Sequence, residues 1–384
     1  MDPTPLKILQ LRSHAGFYGV EKVVVELSAG LQAMGHRVTV GIIQHAQQRD
    51  STFRSMVEKE GLACRLFTTV SPFDRHTIRQ VSEFIKNEQP NIIHSHGYKA
   101  DFVAWMAGRP LQASLISSCH PWLDTDDNRR AALYALIDKL ILLRFDRVVA
   151  VSEQVRWECH VGPLRRRDIP VIANGVAMSS AVAAAETKSI RQELNIPCGH
   201  LLIGCVARLT REKGHLFLLK AFADVVRRTV SPAVLLLLGD GLEKEPLQQA
   251  CQELGLQDRV HFLGHRADVP ALLHQLDLFI LPSLSEGIPM ALLEAMAAAV
   301  PVLSTMVGGI PDILDHGQAG VLVPPGDAPA LAAALLELIH DRTLREALAQ
   351  RGHLRVETAF SRTSMCQRYA AQYAALLRQR NGGE

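Results

Sequence analysis

Short apolar runs alternate along almost the whole chain with segments whose apolar residues recur every three or four positions, the pattern of parallel strands joined by crossover helices. In the first half, LKILQL (6–11) reads as a strand, GVEKVVVELSAGLQAMG (19–35) as a helix and HRVTVGII (36–43) as the next strand. The order repeats after residue 200, where the strands LLIGCVA (201–207) and AVLLLLG (233–239) flank the helix GHLFLLKAFADVVRR (214–228). Each set is the strand, loop, helix, strand opening of a nucleotide-binding fold, so the pattern predicts an α/β protein of two doubly wound domains in tandem. The predicted domains are 1–178 and 196–362. A linker is expected over 179–195, because NGVAMSSAVAAAETKS (174–189) is rich in Ala, Ser and Thr and has no clear period. A last helix is expected in 363–384, where Met365, Tyr369, Tyr373 and Leu377 lie four apart on one face.

Composition agrees with this division and narrows the function classes. A chain of 384 residues exceeds what one core usually serves, and 48 % hydrophobic with 21 % charged residues is an ordinary globular balance. The formal net charge is +2, and no basic stripe dominates either half, which argues against nucleic acid as a partner. Seven scattered cysteines without a C-x-x-C pair point to reduced thiols in the cytoplasm and away from structural zinc. MDPTPLKILQL has neither a basic n-region nor a long apolar h-region, so no secretory leader is expected, and no run of about 18 apolar residues could span a membrane. The closest candidate for such a span, ALYALIDKLILLRFDRVVAVS (132–152), is interrupted by Asp138, Lys139, Arg144, Asp146 and Arg147 and reads as an amphipathic helix running into a buried strand, or as an interfacial membrane attachment. The run Arg165–Arg167 reads as a solvated loop, or as a contact for anionic lipid or phosphate.

Ligands of open α/β sheets bind beyond the carboxyl ends of the strands. After 201–207 comes RLTREKG (208–214), which puts Arg208, Arg211 and Lys213 beside a helix N-terminus; this is a site for a diphosphate, or a solvated basic turn. After the first strand comes RSHAGFYGVEK (12–22), where Gly16 and Gly19 allow close backbone approach or simply make a tight turn. LSEGIPMALLEAM (284–296) follows a buried strand read over 276–283, and Pro289 suits the first position of a helix. Glu286 then falls in the loop and Glu294 in the second helical turn. A carboxylate accepts two hydrogen bonds at once and so suits the vicinal hydroxyls of a sugar or ribose, although a solvent-facing helix Glu beside a helix-dipole Glu would look the same.

The spacing of Glu286 and Glu294 resembles the Glu-seven-residues-Glu motif of the retaining family 4 glycosyltransferases, whose GT-B fold has two Rossmann-like doubly wound domains facing across a cleft. ARLTREKGH (207–215), LLGDG (237–241), VHFLGH (260–265), VGGIPDIL (307–314) and GVLVPPGD (320–327) stand in the family's order, closely over about 200–380 and more loosely before that. The resemblance implies that the C-terminal domain holds a nucleotide sugar, that the N-terminal domain holds the acceptor, and that the last helix crosses back to the N-terminal domain. It implies that Arg208 and Lys213 grip the donor diphosphate, Glu294 the ribose and Glu286 the transferred sugar. Backbone groups of Gly287, Ile288, Pro289 and Met290 would meet phosphate and sugar oxygens, and Gly264 and His265 the base. Gly19 would belong to the loop that closes on donor and acceptor, and His120 would face the donor sugar. Departures from the family are Tyr18 in place of the first of two glycines, Ala177 in place of an Asp, and Asp312 in place of a Glu.

Other readings are weaker. His94 and His96 in NIIHSHG (91–97) follow a strand and could pair on a metal, but no third ligand is evident, so they read as satisfied histidines lining the cleft. Asp124-Thr125-Asp126 matches the Asp-x-Asp of metal-dependent glycosyltransferases but leaves the second strand–helix–strand unit unexplained. The expected activity is retaining transfer of a hexose from a UDP- or GDP-sugar to an acceptor hydroxyl, with Arg208 and Lys213 in place of a metal and no cofactor. Its setting would be surface polysaccharide or lipid-linked glycan assembly, in the cytoplasm and in contact with the inner membrane face. The rivals are a nucleotide-sugar epimerase or phosphorylase on the same fold and a non-catalytic sugar-nucleotide-binding protein.

Overall fold

The computed structural model describes residues 5–14, 19–48, 51–71, 74–111, 113–121, 129–178 and 189–381. The chain forms two compact units, Met1–Gly175 with Arg362–Glu384, and Val176–Ser361.

Unit 1 carries a parallel sheet of β1 (Lys7–His14), β2 (Arg37–His45), β3 (Ala63–Thr69), β4 (Ile92–His96), β5 (Ser114–Cys119) and β6 (Arg147–Ala150), in the order β3-β2-β1-β4-β5-β6. Unit 2 repeats the plan with β7 (Leu201–Val206), β8 (Ala233–Leu238), β9 (Val260–Gly264), β10 (Leu278–Leu281), β11 (Val302–Thr305) and β12 (Val321–Val323), in the order β12-β11-β10-β7-β8-β9. Central strands of such sheets are covered on both faces, which explains runs such as AVLLLL in β8, buried at every position. In each unit the order reverses once, between β1 and β4 and between β7 and β10, and the gap left at each reversal is where ligands of doubly wound folds bind. This is the two-Rossmann GT-B fold.

The core of unit 2 packs Leu218, Leu219, Phe222 and Val225, from the helix His215–Arg228, against β7 and β8 and against Leu331, Leu335 and Leu338 of the helix Ala328–His340. Helix ends are fixed locally: Asp327 and Asp341 accept hydrogen bonds from the N–H groups of Ala330 and Leu344 (2.9 and 2.8 Å).

The terminal helix, Arg362–Asn381, belongs to unit 1. It lies against the helix Gly19–Ala33, where Gly30 leaves room for the Cys366 thiol and Arg362 pairs with Glu26 (2.5 Å). Met365, Tyr369 and Tyr373 of the expected face are buried. Residues 179–188 of the expected linker lie outside the described residues, while Ile190 and Ile196 beyond them are buried in a core cluster of unit 2. Two local expectations change. Pro289 precedes the helix Met290–Ala297 as its cap, with extended backbone (ψ 115°). His94 and His96 lie on β4 itself, fully buried, and so do not line a cleft.

Candidate active site

The site of unit 2 is assembled from loops at the carboxyl ends of its strands. After β7 the chain makes a short turn, Arg211–Lys213, and enters the next helix through Gly214, whose φ of 68° and closeness to the Pro282 carbonyl exclude a side chain. The Leu284 N–H donates to the Glu212 carbonyl (2.7 Å), tying this turn to the loop after β10. That tie brings Lys213 and Glu286 together, Nζ to Oε1 at 2.6 Å, with side chains only 17 % and 7 % exposed. Ser283 donates its hydroxyl to the same Oε1 (2.7 Å), and Thr305 donates to the Ser283 carbonyl (2.5 Å). The contacts of Lys213 and Ser283 both fall on one carboxylate oxygen of Glu286, Oε1.

A second loop holds this one from behind. The Gly309 N–H donates to the Gly287 carbonyl (2.9 Å), and Gly308, at φ 57°, packs so tightly on the Glu286 carbonyl that a Cβ would overlap it. Beneath Lys213, His215 shares a contact with the Cys205 thiol (3.7 Å). Burial, with the charge of Lys213, lowers its pKa to about 4, so it adds no second positive charge.

Arg208 is more exposed and pairs with Glu212 (3.0 Å), which Thr210 also binds (2.7 Å). Gly264 ends β9 at φ 64°, and its carbonyl accepts from the Gly239 N–H (2.8 Å); His265 beside it is exposed. Glu294 sits in the second turn of its helix, between the buried Leu293 and Ala295. Of the residues expected in the site, the fold thus joins Lys213 and Glu286 directly, carries Gly287, Ile288, Pro289 and Met290 on the same loop, and places Arg208, Gly264, His265 and Glu294 on the other loops and the helix of unit 2.

Gly19 and His120 belong to unit 1. Gly19 opens its helix, exposed, and His120 follows β5. Burial first, and the charge of Arg12 second, bring the His120 pKa down to about 3, so the imidazole is neutral. Its Nε2 is buried and has no hydrogen-bond partner among the described residues. Arg12 was not singled out by sequence reasoning. It stands at the end of β1 in register with His96 of β4, paired with the buried Glu21 (2.8 Å) and donating to the His96 carbonyl (2.9 Å). The signal was present in RSHAGFYGVEK as an Arg nine residues before a Glu, but its meaning depends on the β1–β4 register. Ser283 was missed because it reads as the polar exit of an apolar strand. Tyr18 and Asp124-Thr125-Asp126 lie outside the described residues.

Behind these groups, His94 holds the Tyr373 hydroxyl through Nδ1 and the Ser118 hydroxyl through Nε2, both at 2.8 Å. Tyr369 shares Ser118 (2.6 Å), and His96 Nε2 meets Gln10 (2.8 Å). Burial, then the charge of His120, lowers His94 to about 3.

Known proteins match this architecture. The family model described as Glycosyl transferases group 1 matches residues 186–355, and the model described as Glycosyltransferase Family 4 matches residues 17–180. The chain belongs to this family of glycosyltransferases. It is similar to the N-acetyl-alpha-D-glucosaminyl L-malate synthase of Bacillus anthracis, 28 % identical over 316 residues that make up 82 % of each chain. It is also similar to the lipopolysaccharide core biosynthesis glycosyltransferase LpsE of Rhizobium meliloti (strain 1021), 32 % identical over 205 residues covering 53 % of this chain and 57 % of that one. Among solved structures, Anabaena Alr3699/HepE in complex with UDP and glucose superposes with a TM-score of 0.81 over 96 % of this chain and all of that one, at 24 % identity.

Proposed function

We propose that this glycosyltransferase moves a hexose from a UDP- or GDP-sugar to an acceptor hydroxyl with retention of configuration, in the assembly of a surface polysaccharide or lipid-linked glycan. The observation that carries the reading is the Lys213–Glu286 pair at the β7/β10 reversal. Lys213 supplies fixed positive charge where the diphosphate leaves, and Glu286, held by Lys213 and Ser283, offers Oε2 to a hydroxyl of the sugar. A carboxylate bound this way is a poor nucleophile, which favours attack by the acceptor itself. The bond from the anomeric carbon to the diphosphate breaks as the acceptor oxygen bonds to that carbon on the same face, and the acceptor proton passes to the departing diphosphate. Arg208 adds charge at the phosphates, Glu294 takes the ribose, and the neutral His120 meets a sugar hydroxyl through Nε2. The cations stand in for a metal, so activity is expected to survive chelation of divalent ions.

The names of the relatives support a glycan setting, and the UDP and glucose in the Anabaena protein support a UDP-sugar donor. A thermal-shift screen of UDP-, GDP- and ADP-sugars tests the donor class. A donor at 100 times its dissociation constant adds about 2.7 kcal/mol of stability. Stabilisation by UDP- or GDP-sugars is expected, and a chain stabilised by none of the three would refute the reading.

A further inference from the structure

A cavity of about 490 Å³ opens within unit 1 at the amino ends of β4 and β5, the edge of the sheet opposite Arg12 and His120. Ile85, Leu111 and Leu377 contribute an apolar wall, and Lys86, Asn91 and Arg380 stand around it. No Asp or Glu among the described residues lines it.

The polar groups there keep donors free. Arg380, on the terminal helix, is steadied by donating Nη1 to the hydroxyl of the buried Ser114 (3.2 Å), and neither it nor Lys86 has an ion-pair partner among the described residues. Asn91 Oδ1 accepts from the Lys7 N–H (2.8 Å), which makes the other end of that amide a donor, Nδ2, with no partner among the described residues. Exposed cations elsewhere in the chain are spent on neighbours: Arg79, on the same helix as Lys86, pairs with Glu83, and Arg54 and Arg342 each pair with a glutamate four residues on. Nor does Lys86 serve the end of its helix. Lys7 Nζ donates to the Glu88 carbonyl (3.0 Å), and the Gln89 N–H donates to the Ile85 carbonyl (2.9 Å). Gln89 closes the helix at φ 49°, where glycine is the usual residue, yet it keeps a side chain on the rim of the cavity.

We propose that this cavity binds a small organic anion, with a ring or short chain on the apolar wall and a carboxylate or phosphate held by Lys86, Arg380 and Asn91 Nδ2. Apolar walls with a few convergent polar groups, enclosing roughly 300–1,000 Å³, are the mark of small-molecule sites. Two cations with no carboxylate between them select an anion over a neutral ligand. The site lies away from the strand ends where a sugar would be transferred, so its ligand is an effector and not a reactant. Leu377 and Arg380 belong to the helix whose Tyr369 and Tyr373 are bonded to Ser118 and His94, so a bound anion fastens that helix to the sheet at a second place.

The test is calorimetric titration of the full chain with phenyl phosphate, benzoate, inorganic phosphate and benzyl alcohol, each with UDP in excess to occupy unit 2. Binding of one equivalent of phenyl phosphate or benzoate is expected, and the preferred acid tells phosphate from carboxylate. Benzyl alcohol should bind about tenfold more weakly or worse, for want of charge-assisted hydrogen bonds. Lys86→Gln with Arg380→Gln should weaken the preferred acid by about tenfold or more and leave donor hydrolysis unchanged. Ala113→Phe, which fills the cavity without altering charge, should abolish binding; unchanged thermal unfolding shows that each variant is folded. No binding of either acid, or equal binding by the folded double variant, overturns the proposal. So does inorganic phosphate bound as tightly as phenyl phosphate.

Discussion

At the strand-order reversal of unit 2, a lysine after β7 and a glutamate after β10 meet in a mostly buried ion pair. At the corresponding reversal of unit 1, β1 and β4 contribute Gln10, His94 and His96, which are buried and joined to Tyr369 and Tyr373 of the terminal helix or to one another. The topology is shared and the use differs. Unit 2 sets its ion pair between the loops that follow its two reversal strands; unit 1 keeps one ion pair, Arg12–Glu21, at its reversal and fills the strands below with neutral hydrogen-bonding groups that hold the terminal helix. Arg12, near the carboxyl end of β1, and His120, just after β5, lie at the ends of those strands.

The comparison breaks most sharply at Glu286. Glu286→Gln is expected to lower kcat by about 10²–10³, the usual cost of one preorganised electrostatic group, and to lower thermal stability as well, because the mostly buried Lys213 loses its counter-charge. Lys213→Ala should cost as much in kcat, and it also leaves a desolvated carboxylate, so it should destabilise the fold as well. Gly308→Ala forces the loop against the Glu286 carbonyl to move, and a displacement of about 1 Å at a reacting group can cost about 10²-fold in rate; steady-state kinetics on donor hydrolysis measures both effects. In unit 1 the effect should appear in stability instead. Tyr373→Phe leaves His94 Nδ1 and the Gln10 amide without that hydroxyl, at a cost of about 1–3 kcal/mol in denaturant unfolding and with donor affinity unchanged.

A further effect is read as a dependence on pH. The folded chain holds His94 and His120 neutral, with pKa values brought down to about 3, whereas the unfolded chain protonates them near 6.5. Between those values the unfolded state binds more protons, so stability falls as pH drops from 6.5 toward 3. His94→Gln should flatten that slope in pH-dependent unfolding.

The alternation of strands and helices was legible because parallel strands covered on both faces must be apolar throughout, as β8 is. Lys213 and Glu286 were legible as candidates through local motifs, since each sits in a loop after its own strand, but their pairing was not, because it depends on β7 and β10 lying side by side. Arg12 and Ser283 were not legible as site residues. Arg12 gains its role from pairing with a strand 84 residues away, and Ser283 from a side chain that turns back three residues. Tyr369 and Tyr373 declared themselves as a helix face, but their partners lie more than 250 residues away. His94 and His96 read as strand-exit residues because polar side chains within a fully buried strand need partners that only the terminal helix and the neighbouring strands supply.

The central claim is that Lys213 and Glu286 form the centre at which a nucleotide sugar reacts. Its most direct test is UDP-sugar hydrolysis and UDP binding measured side by side for the parent chain and Glu286→Gln. The account predicts nearly equal UDP affinity and hydrolysis slowed by about 10²-fold or more in the variant. Hydrolysis at the parental rate by folded Glu286→Gln would contradict it.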